Sequence, residues 1–239
     1  MSPSIAPELA NPTMLTPPEP FGYKTAWFAI PSDNPTAVAA AIELQSARPV
    51  NWRYGVRHAY EYDEHQIFVS PPVSGWILVV GTPVVWEADD HAITRMVELS
   101  HPFGETQLFG SVRTSDSYLW ARARNGKLLR LFYEGDGNRR VEGEPTEAEK
   151  AFQFFDPSSP ESEQPGYWER NDLRYVDETC VLEIAGKWSV DPSRLDQMNL
   201  APALGLLGSP SASYPPKPAP IRRTKSGFFQ RLFSRTFSM

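Results

Sequence analysis

Apolar positions along the chain fall into short runs separated by proline and glycine, which is typical of a sheet with a few packed helices. Strand-like runs occupy 24–30 (KTAWFAI), 67–69 and 76–80. Asn34 and Pro35 provide a cap and a first-turn proline for a helix that we expect over 35–44. A second amphipathic helix is expected over 91–100, followed by a strand over 106–112.

The strongest local signal is Asn125-Gly126 between two β-rich runs, 118–124 and 127–133. Asn-Gly at this place favours a two-residue hairpin turn. The symmetric register pairs Trp120 with Leu131, so both faces of the hairpin carry apolar pairs. We therefore expect its inner part to be buried on both sides.

The predicted order of elements is β-α-β-β-α-β-β-β, which indicates the α+β class. The first six match a ferredoxin-like βαββαβ core, here extended by an antiparallel hairpin. Three further helices, over 145–154, 177–187 and 191–199, are expected to pack on the sheet.

Proline content divides the chain. Six prolines in residues 1–20 predict a disordered arm, and residues 21–200 are expected to form a single α+β domain. Six more prolines in 201–221 predict an extended linker. The last segment, 222–239, is a basic amphipathic tail.

Charge follows the same division. The net charge is −6, but residues 1–196 hold 17 cations and 29 acids, and six cations without any acid follow from Gln197 onward. The body should repel nucleic acid and anionic membranes, whereas the tail should be attracted to them. The single cysteine, Cys180, and the lack of a basic and then apolar N-terminal segment predict a cytoplasmic protein, with peripheral contact at the inner membrane as an option.

The tail carries the candidate binding residues. On a helical wheel its aromatic and leucine side chains cluster on one side and its polar side chains on the other. The candidate set is Arg222, Arg223, Lys225, Phe228, Phe229, Arg231, Leu232, Phe233 and Arg235. Such a segment is suited to an anionic membrane or a partner's groove, and it could also dock on the acidic body of its own chain.

No catalytic or metal-binding motif is present. The four histidines form no paired-ligand pattern, one cysteine cannot build a thiolate zinc site, and no phosphate-binding glycine loop occurs, so no cofactor is predicted. Cys180 lies in an apolar helical pattern and is expected in the core. The alternative is an enzyme with a dispersed site in the stretch 52–62, around His58 and Glu61.

Basic residues in the predicted hairpin region are the one hint of a nucleic-acid surface. Arg122 and Arg130 are expected on opposite faces, and Arg124 and Lys127 flank the turn, so no continuous patch is predicted. Because the body is acidic, nucleic acid is not the expected partner.

Three phrases, 75–81 (GWILVVG), 143–146 (GEPT) and 185–192 (AGKWSVDP), resemble a family of uncharacterised bacterial proteins of similar length. The resemblance spans about residues 22–197. It implies a bacterial source and brings no activity or site residues.

These observations favour a non-catalytic protein-binding module over an enzyme. An immunity or adaptor protein of a bacterial toxin or secretion system would suit a small acidic body, and its expected partner is a protein with a basic surface. A peripheral membrane protein anchored by the tail is the other alternative.

Overall fold

The computed structural model describes residues 7–60, 65–81, 90–135, 138–156 and 158–211. Helices and strands alternate along this part of the chain. In order, they are α1 (Pro7–Ala10), β1 (Ala26–Pro31), α2 (Pro35–Ala41), β2 (Gln45–Val50), α3 (Trp52–Tyr60), β3 (Ile67–Val69), β4 (Trp76–Val80), α4 (Asp90–Phe103), β5 (Glu105–Val112), β6 (Ser117–Arg124), β7 (Lys127–Gly135), β8 (Asn138–Glu142), α5 (Glu178–Trp188) and β9 (Gly205–Ser209). The predicted α+β class is confirmed.

Within the described residues, nine strands form one sheet in the order β2-β9-β3-β4-β1-β5-β6-β7-β8. Every neighbouring pair of these strands is antiparallel. The predicted strands at 67–69 and 76–80 are confirmed. Asn34 caps α2 as expected, because its side chain accepts a hydrogen bond from the Ala37 N–H at 3.0 Å.

The sheet is buried on both faces. One face packs against α2 and α4 around Phe28, Ile77 and Met96. The opposite face packs against α3 and α5 around Trp27, Trp120 and other aromatic rings. Alternate residues of the central strands therefore enter different cores, which explains why these strands read as continuous apolar runs rather than as alternating patterns.

Residues 7–20 differ from the predicted disordered arm of 1–20, because they pack on the body. The side-chain amide of Asn51 donates to the Glu8 carbonyl at 2.9 Å and to the Asn11 carbonyl at 3.1 Å. The same side chain accepts from the Tyr54 N–H at 2.8 Å and so caps α3. One buried asparagine thus fixes the segment, a contact that proline content cannot reveal. Residues 1–6 lie outside the described part of the chain.

Residues 201–211 differ in the same way from the predicted linker, because they contain β9. This strand lies between β2 and β3 and pairs with both. Its sequence, GLLGS, has two glycines and no alternation, so it has no strand signal of its own. The structure requires glycine at 205, because β3 lies too close for a side chain. A Cβ atom there would lie 2.5 Å from the Phe68 ring and 2.5 Å from the Val69 carbonyl oxygen.

The β6–β7 hairpin forms at Asn125-Gly126, but its register is one residue away from the predicted one. Trp120 pairs with Phe132 instead of Leu131, since a bulge between Arg122 and Ala123 adds one residue to β7. The Trp120 and Phe132 rings stack with centroids 4.1 Å apart and planes 2° apart. The expectation of burial on both faces is confirmed.

Among the three predicted C-terminal helices, the middle one is confirmed as α5, capped by the Asp177 side chain that accepts from the Cys180 N–H at 2.9 Å. The last is a 3-10 helix, Pro192–Gln197. The first, over 145–154, is wrong, because this segment forms only a turn. Its Glu149 carboxylate folds back onto the Thr146 N–H and onto Arg130 of β7.

Candidate functional site

The residues that the sequence favours for binding, 222–239, lie outside the described part of the chain, and so does Glu61. His58 is described and lies on α3. Its ring packs on Tyr54 with centroids 4.0 Å apart. Cys180 is fully buried, as expected, and burial raises the pKa of its thiol to about 12.

A cavity of about 500 Å³ lies between α3 and the N-terminal segment. From α3 it receives Arg53, Val56, Arg57 and Tyr60, which share one side of the helix. The N-terminal segment contributes Leu9, Glu19, Pro20, Phe21 and Tyr23. His58 is not among the described residues that line it, so the cavity does not assemble the predicted histidine and carboxylate pair.

Tyr60 is one of the residues that line this cavity. Its hydroxyl accepts a hydrogen bond from the Gly22 N–H at 2.9 Å, and burial raises its pKa above the ordinary tyrosine value. The phenol therefore stays protonated at neutral pH and has a structural partner. Arg53, which also lines the cavity, forms an ion pair with Glu8 of the N-terminal segment. These contacts join the N-terminal segment to α3.

A second feature is a cluster of four rings between the turn after β8 and α5. We call it the aromatic surface and define it as Phe155, Tyr167, Trp168 and Tyr175. Phe155 and Tyr167 are buried, whereas Trp168 is 42% and Tyr175 61% exposed. The Trp168 and Tyr175 rings are within 9° of parallel with centroids 6.4 Å apart. The centroid of the Phe155 ring lies 5.4 Å from that of Trp168 and 4.6 Å from that of Tyr175.

Backbone hydrogen bonds hold these rings in place. The Asp156 N–H donates to the Tyr167 hydroxyl at 2.7 Å, and Trp168 Nε1 donates to the Ser162 carbonyl at 3.1 Å. The Phe155 N–H donates to the Arg174 carbonyl at 3.1 Å, which joins the two stretches of chain. The exposed rings are therefore positioned in advance, so that a ligand would not have to order them.

The surroundings of the aromatic surface are acidic. Residues 156–177 hold six acids and two arginines. Both arginines have carboxylate partners: Arg170 contacts Asp172 and Glu161, and Arg174 contacts Asp177 and Glu183. The bond from Arg170 holds the pKa of Asp172 below its usual range. The surface therefore combines exposed Trp and Tyr with a net negative rim.

The sequence prediction missed this surface because its rings come from an irregular segment. Positions 152–175 contain six aromatic residues in 24, about twice the share in the whole chain, which is 12%. That enrichment was the available signal. Periodicity could not use it, since no regular element connects the rings.

The basic residues of the hairpin are arranged differently from the prediction. Arg122 and Arg130 are cross-strand partners and lie on the same face, not on opposite faces. All three arginines of the hairpin are bound by carboxylates: Arg122 and Arg124 by Glu105, and Arg130 by Glu149. Their charges are therefore neutralised within the protein and do not form an open basic patch.

The Glu105 cluster predicts a pH dependence of stability. Burial alone would raise the pKa of Glu105, but hydrogen bonds from Arg122, Gln107 and Arg124 outweigh it, so the pKa lies below its usual range. A carboxyl whose pKa is lower in the folded state stabilises the fold above its unfolded pKa, and this stabilisation is lost as the pH falls through the folded value.

We therefore expect Glu105→Gln to lower the free energy of unfolding by about 2 kcal/mol at pH 7, since two arginines lose their counter-charge. Urea titrations should show this difference shrinking as the pH falls from about 4.5 towards 3. The matched control is Glu98→Gln, because Glu98 is exposed and, among the described residues, forms its ion pair along its own helix with Arg95. A difference between wild type and Glu105→Gln that stays constant with pH would contradict the assignment.

Two absences concern the described residues alone. No group of three or more His, Cys, Asp or Glu side chains in these ranges is arranged to hold a metal ion. None of the helices in the same part of the chain combines the length and the hydropathy that crossing a membrane requires.

No family model matches this chain, and neither the curated proteins nor the solved structures contain a match to it.

Proposed function

We propose that the protein is a non-catalytic binding module that recognises a basic segment of another protein through the aromatic surface. The observation that carries the proposal is the exposure of two pre-positioned rings, Trp168 and Tyr175, inside an acidic rim. Trp and Tyr are the residues on which binding energy most often concentrates, because large rigid rings bury much area at little entropic cost.

The chemistry of the partner follows from this rim. Lysine and arginine side chains are attracted by carboxylates and by the faces of aromatic rings. Arg170, which lies 6.0 Å from the centre of the Tyr167 ring, is an internal example of the second contact. In a basic partner segment that also carries apolar side chains, the cations would contact the acidic rim and the apolar groups would pack on the rings.

The proposal also includes a fold family, a cellular compartment and a functional class. A ferredoxin-like core is supported by the strand order β3-β4-β1-β5 and by α2 and α4, which pack on the same face. A reducing, cytosolic compartment is supported by the single free cysteine in a buried position, and the bacterial source stays a prediction from the sequence resemblance. The immunity or adaptor class stays a prediction from the acidic composition.

A peptide-display selection against the immobilised full chain tests the proposal. Binders that also bind a Trp168→Ser, Tyr175→Ser double variant are removed first. We expect the remaining peptides to be enriched in Lys and Arg and to contain an aromatic residue. Their affinity for Trp168→Ala should be at least about 10-fold weaker than for wild type, which corresponds to about 1.4 kcal/mol.

The matched control is Leu129→Ala, since Leu129 is also exposed, to 44%, but lies on β7 outside the aromatic surface. It should leave the affinity of the selected peptides unchanged. Selection of peptides without net positive charge, or equal binding by the Trp168 and Leu129 variants, would contradict the proposal.

A further inference from the structure

We propose that the basic tail of this chain occupies the aromatic surface when no partner is bound, and that it acts as an internal competitor. This inference rests on the proposed function, because it concerns the regulation of the same site. The tail is the segment 222–239, which lies outside the described residues.

Charge complementarity is the first argument. The tail carries five cations and no acid, whereas residues 156–177 carry six acids against two arginines. These two arginines and Arg139 of β8, which contacts Asp156, offset only three of the six acids, so the rim keeps a negative excess. The α3 cavity is a poorer acceptor for the tail, because Arg53 and Arg57 line it.

Side-chain chemistry is the second argument. The tail combines its cations with Phe228, Phe229, Leu232 and Phe233. The exposed faces of Trp168 and Tyr175 can accept both kinds of group, through ring-to-ring packing and through cation–π contacts. The tail therefore has the composition that we expect of the external partner.

Reach is the third argument. The described chain ends at Ser211, just after β9, and the Ser211 hydroxyl donates to the Glu43 carboxylate at 2.9 Å. The aromatic surface adjoins the opposite end of the sheet, where Arg139 of β8 contacts Asp156. Seven strand spacings separate β9 from β8, and at about 4.8 Å each they amount to about 34 Å.

The intervening chain matches this distance. Fourteen residue steps lead from Ser211 to Lys225, and four prolines lie among them. A proline-rich segment advances about 3.1 Å per residue, so these steps span up to about 43 Å. The linker is therefore long enough for the tail to reach the surface, and a short linker that can span two sites gives an effective concentration of millimolar order.

The consequence is a measurable competition. If the tail has an intrinsic dissociation constant of about 0.1 mM and an effective concentration of about 1 mM, about nine tenths of the sites are covered. An external basic partner then binds about 10-fold more weakly than it would to an open surface.

Zero-length cross-linking of the full wild-type chain with a carbodiimide tests the contact directly. This reagent joins a lysine amine to a carboxylate only where the two touch. We expect Lys225 to be joined mainly to Glu161, Glu163, Glu169 and Asp172. Glu98 of α4, whose side chain is 58% exposed and whose partner is an arginine without a reactive amine, lies outside the aromatic surface and is the matched control acid that should remain unlinked.

The same reaction in a full chain carrying Trp168→Ser and Tyr175→Ser should lose this preference. An equimolar mixture of isotopically light and heavy protein distinguishes contacts within one chain from contacts between chains. Links distributed evenly over exposed acids, or links mainly between light and heavy chains, would overturn the inference.

An affinity measurement separates this inference from the proposed function. Full chain with Phe228→Ser, Phe229→Ser and Phe233→Ser should bind the display-selected peptides about 10-fold more tightly than wild type. The matched control is Ser234→Ala, which leaves cations and rings in place. Peptides that depend on Trp168 but bind wild type and the triple phenylalanine variant equally would contradict the tail inference and leave the proposed function intact. Cross-links between the tail and the aromatic surface, without any selected peptide that depends on Trp168, would instead contradict the proposed function.

Discussion

The Leu207→Asp variant is expected to lose more than about 4 kcal/mol of folding free energy and to be largely unfolded at 25 °C. Leu207 is fully buried in β9, where its Cα pairs with Arg48 of β2 and with Phe68 of β3. Removing a buried leucine side chain costs about 2–5 kcal/mol, and a buried carboxylate without a partner adds several more. Native domains have only about 5–15 kcal/mol to lose.

Urea denaturation followed by tryptophan fluorescence and far-UV circular dichroism measures this effect. The control is Ser209→Asp at the exposed end of the same strand, which should change the free energy of unfolding by less than about 0.5 kcal/mol. The comparison also tests the position of β9. If Leu207→Asp has the wild-type midpoint, residues 201–211 belong to a linker, as proline content alone suggested.

The second large effect is expected at Arg130. Its side chain is 5% exposed and that of its partner Glu149 4% exposed. Glu149 Oε1 also accepts from Trp120 Nε1 at 2.8 Å, and Oε2 accepts from the Thr146 N–H at 2.8 Å. Arg130→Met would leave a buried carboxylate without its counter-charge, which typically costs about 3–5 kcal/mol.

Replacing both partners separates charge from packing. The double variant Arg130→Met, Glu149→Met should recover part of the loss, because no unpaired charge stays buried. Full recovery is not expected, since the Arg130 guanidinium also donates to the Gly143 carbonyl at 2.6 Å and so fixes the turn after β8. Urea titrations of wild type, the double variant and the two single variants, Arg130→Met and Glu149→Met, give the coupling energy. A single Arg130→Met effect below about 1 kcal/mol would contradict a buried ion pair.

Elements with a local signal could be predicted from the sequence. Asn34 and Asp177 are caps that act within three residues, and they place the starts of α2 and α5. Asn125-Gly126 places the hairpin turn in the same local way. Burial on both faces also follows from local composition, because the apolar runs of the hairpin leave no polar face.

Elements without such a signal depend on neighbours that are distant in sequence. β2 and β8 are the two outer strands of the described sheet, and their mostly exposed residues show no apolar pattern. β9 becomes a strand because it fits between β2 and β3. The hairpin register shifts because a bulge brings Phe132 onto Trp120. Each of these choices is decided by packing rather than by propensity.

The tail and the aromatic surface differ in the same way, since one is evident from local sequence and the other depends on the fold. The sequence by itself determined the charge asymmetry, the α+β class and the composition of a basic, aromatic tail, because these depend only on which residues are present. Only the tertiary structure decided that Trp168 and Tyr175 share an exposed surface and that β9 ends far from it across the sheet. Proximity between distant residues arises from chain folding, and no local pattern carries it.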